Sequence, residues 1–456
     1  MLLLVSCTKF QDDINVNPNL PSTASNTQLI ANAELYLPGL SSSPQGEYYA
    51  QYLAETEYPN LSLYNQVNFG FYDLYAGPLM NLETVLTSGK YDGNEGPVVN
   101  QIAVAKILKS YFFWHITDRW GDVPYTDALK GKGNFTPKYD KQQVIYDSLF
   151  KALEDASNMI VTGNISNDIV YAGDMTKWKK LANTIRMLMA LRLSKVDPSK
   201  GNTEFNKAIA AGVMTSNDDN LVFKHLSNAT NQNYWYGQVF GMNRSWWALS
   251  KTLVDRMKPT SDPRLAIYGD KSKNTNDYAG LTFGNTAAIN KDNFSLMGTA
   301  IWKQDAQIHL VTYAQSLFAK AEAAKLGWIT GGDVAAKINY DLAIEQSVRQ
   351  WNNNNITGLS TMMAHPSVAY DPATALRQIA EQRYIHLFMH GYEAWAEWRR
   401  TGYPNDMVSP GGKAVPRRQG YPTEESFNNT TNYKQAVQTQ FGGQDDLSGR
   451  VWWDKP

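Results

Sequence analysis

The 456-residue chain sets 42 Lys and Arg against 43 Asp and Glu, for a net charge of −1, with 43% hydrophobic and 19% charged residues. Such a chain buries enough apolar surface for one large or two modest cores, and its near-zero charge argues against a nucleic-acid partner, since its basic runs are no longer than pairs such as Arg399-Arg400 and Arg417-Arg418. A lone cysteine excludes an internal disulfide, and no run of eighteen apolar residues offers a transmembrane helix.

That cysteine, Cys7, follows Leu4-Val5-Ser6, small and apolar residues of the kind found ahead of a lipidated thiol. Residues 1–7 therefore read as the end of a lipoprotein signal whose apolar part, Leu2 to Val5, is too short to act alone; the true start is expected upstream. Lipidation at Cys7 would anchor the protein stably to a membrane. Residues 8–25, rich in Asn, Asp, Pro and Ser, read as a tether, and 26–456 as a single folded domain.

Helical periodicity dominates that domain. Val104, Ile107, Leu108, Tyr111 and Phe112 repeat at helical spacing, as do Ile145, Leu149, Leu153 and Ala156, then Trp178, Leu181, Ala182 and Ile185. Leu310, Tyr313, Ala314, Leu317 and Phe318 continue the pattern, followed by Tyr340, Ala343, Ile344 and Val348. The pairs expected are roughly 69–90 with 97–118, 140–161 with 175–196, and 305–327 with 333–352, then one long helix at 373–401. An all-α fold follows, an irregular tetratricopeptide-like helical solenoid with a loop-rich face built from 216–248, 259–304 and 402–430.

Motifs punctuate this pattern. Arg119-Trp120-Gly121-Asp122-Val123-Pro124-Tyr125 ends a helix at a glycine and keeps it from resuming with a proline. Glu381-Gln382-Arg383 runs into Gly391-Tyr392-Glu393-Ala394-Trp395-Ala396-Glu397-Trp398-Arg399-Arg400, and Val451-Trp452-Trp453-Asp454 closes the series. Their charges pair and their indoles pack, so the residues themselves indicate scaffold. Together with Cys7, these motifs resemble the SusD/RagB family of outer-membrane nutrient-binding lipoproteins, in its SusD-like branch. His386 and His390 stand where that family often carries acidic residues. The resemblance implies a surface-facing, lipid-anchored protein that binds a nutrient and works with a SusC-like TonB-dependent barrel, without catalysis or cofactor.

On a continuous helix His386 and His390 would share a face, as zinc ligands do, but Leu387 takes the place of the metalloprotease glutamate, and packed histidines are the better reading. Glu393 and Glu397 lie one helical turn apart, a poor arrangement for flanking a sugar bond. No G-x-S-x-G, Walker or Rossmann motif is present. No metal site and no enzyme activity are expected.

Ligand contacts are expected from aromatic clusters outside the helical pattern. Residues 234–247 hold Tyr234, Trp235, Tyr236, Phe240, Trp246 and Trp247, interleaved with Gln238, Asn243 and Arg244. A second cluster runs Tyr48, Tyr49, Tyr52, Tyr58 and Tyr64, with Asn65 adjacent. Flat rings suit the C–H faces of pyranoses, and amides and guanidinium suit their hydroxyls, although a peptide could use the same surface. The candidate binding residues are Trp235, Tyr236, Trp246, Trp247, Asn243, Arg244, Tyr64 and Asn65.

Overall fold

Residues 24–456 are described in the structure, a computed structural model, so Cys7 and nearly all of the 8–25 tether lie outside the described residues. The regular helices occur where apolar spacing places them, and the expected neighbours pack on one another, with further packing between successive pairs. Helix α1 (Val98–Trp120) packs on α2 (Gln142–Met159), and α3 (Met175–Arg192) on α4 (Pro198–Ala211). Helix α5 (Tyr313–Lys325) packs on α6 (Gly332–Trp351), and α7 (Ala375–His386) leads into α8 (Gly391–Thr401). These hairpins form the irregular, tetratricopeptide-like helical architecture. Helix α4 was not expected. Asp197 caps it by accepting from Lys200 N at 3.1 Å, Pro198 opens its first turn, and Phe205 and Ala208 bury its inner face.

The expected helix at 69–90 is interrupted: Tyr72–Leu74 and Met80–Thr87 are joined by a wider π turn at Tyr75–Leu79 that contains Pro78, which has no N–H for a regular helical bond. The long helix at 373–401 is also a correction. Met389 takes a φ of 63° between α7 and α8. The break lets α8 begin against the short helix Pro44–Tyr49: a Cβ on Gly391 would meet the Gly46 carbonyl carbon at 2.2 Å, so the backbones touch and only glycine fits. His386 and His390 therefore do not share a helical face. His386 is held between Thr312 Oγ1 at 2.7 Å and Ser347 Oγ at 2.9 Å.

The sequence motifs converge on a buried charge cluster between the hairpins. Arg192 on α3 meets Asp118 at 3.1 Å, Glu393 at 2.5 Å, and Glu397. Glu397 also takes Arg383 at 2.5 Å and Arg400 at 2.6 Å, and Arg400 reaches Glu322 on α5 at 2.5 Å. Burial alone would raise the Glu322 carboxyl, but the Arg400 and Arg383 guanidinia outweigh it and hold it at about 2. Arg399 stacks 3.6 Å from the Trp395 ring centroid and 4.7 Å from that of Trp453, while the Trp453 indole donates to Asp118 at 2.8 Å. Glu393 and Glu397 are thus committed to arginines.

Beside this cluster, burial drives His390 down to about 4, with Glu393 opposing and Arg192 assisting. An unfolded histidine titrates near about 6.5, so the unfolded chain binds more protons between the two values. Stability from this group is expected to be complete above about pH 6.5 and to fall by roughly 3 kcal/mol as pH drops to about 4. Urea denaturation across that range checks it. The His390→Gln protein should show a shallower pH slope than the parent, and equal slopes would remove the assignment.

Candidate functional site

Paired strands bring the two aromatic clusters of the sequence together. β1 (Leu53–Glu55) runs antiparallel to β2 (Trp247–Leu249), with Glu55 opposite Trp247 and Leu53 opposite Leu249. Successive strand residues point to opposite faces, so Trp247 turns inward and Trp246, just ahead of it, turns towards solvent. The Trp247 indole donates to Tyr48 Oη at 2.9 Å, and Tyr48 donates to Glu55 at 2.7 Å. Burial raises both the Tyr48 and Glu55 pKa values, so these groups form a satisfied polar chain beneath the surface.

Above that chain lies an open surface of rings. Trp246 carries Tyr58 edge-on at 4.9 Å between centroids, and the Arg244 guanidinium sits 4.9 Å from its own ring centroid. Arg244 is aimed by a 2.8 Å hydrogen bond to Gln238 Oε1. The Trp246 carbonyl is fixed by the Thr56 N–H and hydroxyl, both at 2.8 Å. Along the adjoining turn Gly237–Gly241, Tyr236 and Phe240 stack at 4.9 Å with planes 19° apart. Phe240 is 64% exposed and Tyr58 51% exposed, so both rings are open to contact from solvent.

The expected binding residues separate by depth. Tyr236, Asn243, Arg244 and Trp246 reach the surface. Trp235, Trp247 and Tyr64, at 1%, 5% and 5% exposure, are packed beneath it as support. Tyr64 accepts from Gln51 Nε2 at 2.9 Å and sits against Phe283, and Trp235 stands edge-on to Trp247 at 5.1 Å. Asn65 is exposed and bonded to Lys413 and to the Asn60 carbonyl. Tyr58 and Phe240, present in the sequence clusters but absent from the candidate set, complete the exposed surface.

Rings with solvent-facing edges and faces, together with an oriented guanidinium and an amide, can hold a flat, hydroxylated or amide-bearing ligand. Helical hairpins that display such a surface define a helical-repeat binding scaffold. Among the described residues, no group of three His, Cys, Asp or Glu is placed to hold a metal, and no helix is long and apolar enough to cross a membrane.

The chain belongs to the SusD-like family, described as starch-binding and associating with the outer membrane, which matches residues 18–422. Solved structures agree over almost the whole fold. A chitin-binding protein is 28% identical with a TM-score of 0.82, covering 95% of this chain and all (100%) of its own. A SusD homologue from Bacteroides fragilis is 25% identical with a TM-score of 0.81, again over 95% and 100% of the two chains. A chitin-binding SusD homologue from Flavobacterium johnsoniae is 25% identical with a TM-score of 0.78, over 94% and 98%. No curated protein matches the sequence.

Proposed function

We propose that this protein captures a glycan at the membrane surface, without cleaving it, and delivers it to a SusC-like TonB-dependent barrel in the outer membrane. The observation that carries the reading is the exposed Tyr58, Trp246, Tyr236 and Phe240 surface, with Arg244 and Gln238 set among its rings. Stacking supplies contact area without demanding one sugar stereochemistry, while the polar groups choose among hydroxyl and acetamido patterns. The chitin-binding relatives make oligosaccharides of N-acetylglucosamine the first ligand class to try. Cys7 would supply the lipid anchor, and the resemblance favours the exterior leaflet. Glu393 and Glu397, each bound to arginine in the interior, offer no free acid and base for glycoside hydrolysis.

Isothermal titration against chitooligosaccharides, maltooligosaccharides and mixed peptides tests the reading. Saturable binding to a glycan series, with no new reducing ends after incubation, is expected. Binding confined to peptides would replace the glycan with a peptide cargo, and released sugar would make the protein an enzyme. Detergent extraction from native membranes should bring a large β-barrel partner with the protein; recovery of the protein always alone would remove the transporter.

A further inference from the structure

A groove lies elsewhere on the loop-rich face, at the end of α6. It consists of adjoining cavities of about 270 and 650 Å³ that share Gln307, His309, Gln350 and Asn353 along their walls. Volumes of this order suit a small ligand or several sugar units. The smaller cavity is floored by rings: Trp351 lies edge-on to His309 at 5.4 Å, and Trp235 forms another part of the lining. The Trp351 indole N–H is already used by the His386 carbonyl at 3.1 Å, so the ring offers contact area to the groove rather than a donor.

The walls supply the polar groups. Buried His309 Nδ1 has no hydrogen-bond partner, an unmet need of the kind a ligand hydroxyl satisfies. The side-chain amides of Gln307, Asn353 and Asn354 make no hydrogen bond within the described residues, although Asn353 and Asn354 are both held in the left-handed region at φ of 49° and 64°. The left-handed turn closes the end of α6, with Asn354 N donating to the Arg349 carbonyl, and leaves both asparagine amides at the cavity wall. Lys177, Lys224 and Asp218 also line the larger cavity without forming ion pairs among the described residues. Six amide side chains and three cationic ones outnumber the single carboxylate Asp218, a donor-rich lining that suits the hydroxyl oxygens of a saccharide.

The groove is also connected to the exposed ring surface through its supports. Asn233 bonds the Gln304 carbonyl at 2.9 Å and the Ala306 carbonyl at 3.1 Å, tying the start of the 234–241 turn to the groove rim. Trp235 thus packs on Trp247 beneath the ring surface and also lines the groove.

From these observations we infer that the groove is a second saccharide subsite, built to take a neutral oligosaccharide separately from the Trp246 surface. The inference rests on the glycan-binding reading above. Two weak subsites on one body raise the effective affinity for longer chains over short ones, because the second contact becomes intramolecular.

Chitohexaose titrated into the full protein and its variants provides the test. The Gln307→Ala/Asn353→Gly protein loses groove amides without adding backbone strain, and its unchanged melting temperature confirms an intact fold. The expected result is about thirtyfold weaker binding, since the two lost hydrogen bonds are worth roughly 1 kcal/mol each. Trp246→Ala should retain weak residual binding that disappears when combined with the groove changes. If the groove variant binds as tightly as the parent while Trp246→Ala loses all binding, the second subsite is overturned and the ring surface stands. If the groove variant loses binding and Trp246→Ala does not, the subsite stands and the ring surface is the part that fails. A parent protein that binds no oligosaccharide overturns both.

Discussion

Replacing Arg192 by methionine is expected to remove about 3–5 kcal/mol of stability, the range for breaking a buried ion pair by deleting one partner. The guanidinium is fully buried and serves Asp118, Glu393 and Glu397 together. Without it, these carboxylates, committed to it in the interior, must be neutralised or hydrated there, and each option is costly. Urea unfolding followed by tryptophan fluorescence would show a lower midpoint. A control sharpens the comparison: Lys151 pairs with Asp155 on the exposed face of α2 at 3.2 Å, and Lys151→Met should change stability by less than about 0.5 kcal/mol. If Arg192→Met and Lys151→Met shift the midpoint equally, the charge cluster does not hold the hairpins together.

Trp246→Ala is expected to weaken glycan binding by about thirty- to one-hundredfold, the scale of a lost aromatic anchor of roughly 2–3 kcal/mol. Trp246 carries Tyr58 and Arg244, so removing it also disorders its neighbours at the surface. Its melting temperature should fall far less than that of a Trp247 variant, because the Trp246 ring is only partly buried. Trp247→Ala makes the contrast. Trp247 is buried and its indole anchors Tyr48, so that variant should lose about 3–5 kcal/mol of fold stability. A Trp246→Ala protein that binds within twofold of the parent would falsify the ring surface as the ligand contact.

The helices and the motif cluster were legible because their signals are local and periodic: buried apolar positions recur at helical spacing, and Arg119, Arg399 and Trp453 carry chemistry that packs only against itself. The break at Met389 was not legible, since a single left-handed residue leaves the amphipathic pattern intact on both sides. Helix α4 was missed because its early Pro198 and Gly201 read as loop residues. In the aromatic cluster, composition found the region, but depth was set by a strand's alternation at Trp246 and Trp247 and by a π turn at 237–241, neither of which a local count of rings reveals. Tyr58 reached the site only through pairing with a strand nearly two hundred residues later in the chain, a contact no local window contains.

The Trp453 to Asp118 bond spans 335 residues, and it closes the charge cluster from the far end of the chain. During synthesis, α1, α3 and α8 can gather, yet their shared interior stays unsealed until that indole emerges. A polypeptide built this way cannot seal that interior by local pairing alone, because it needs two segments 335 residues apart to meet.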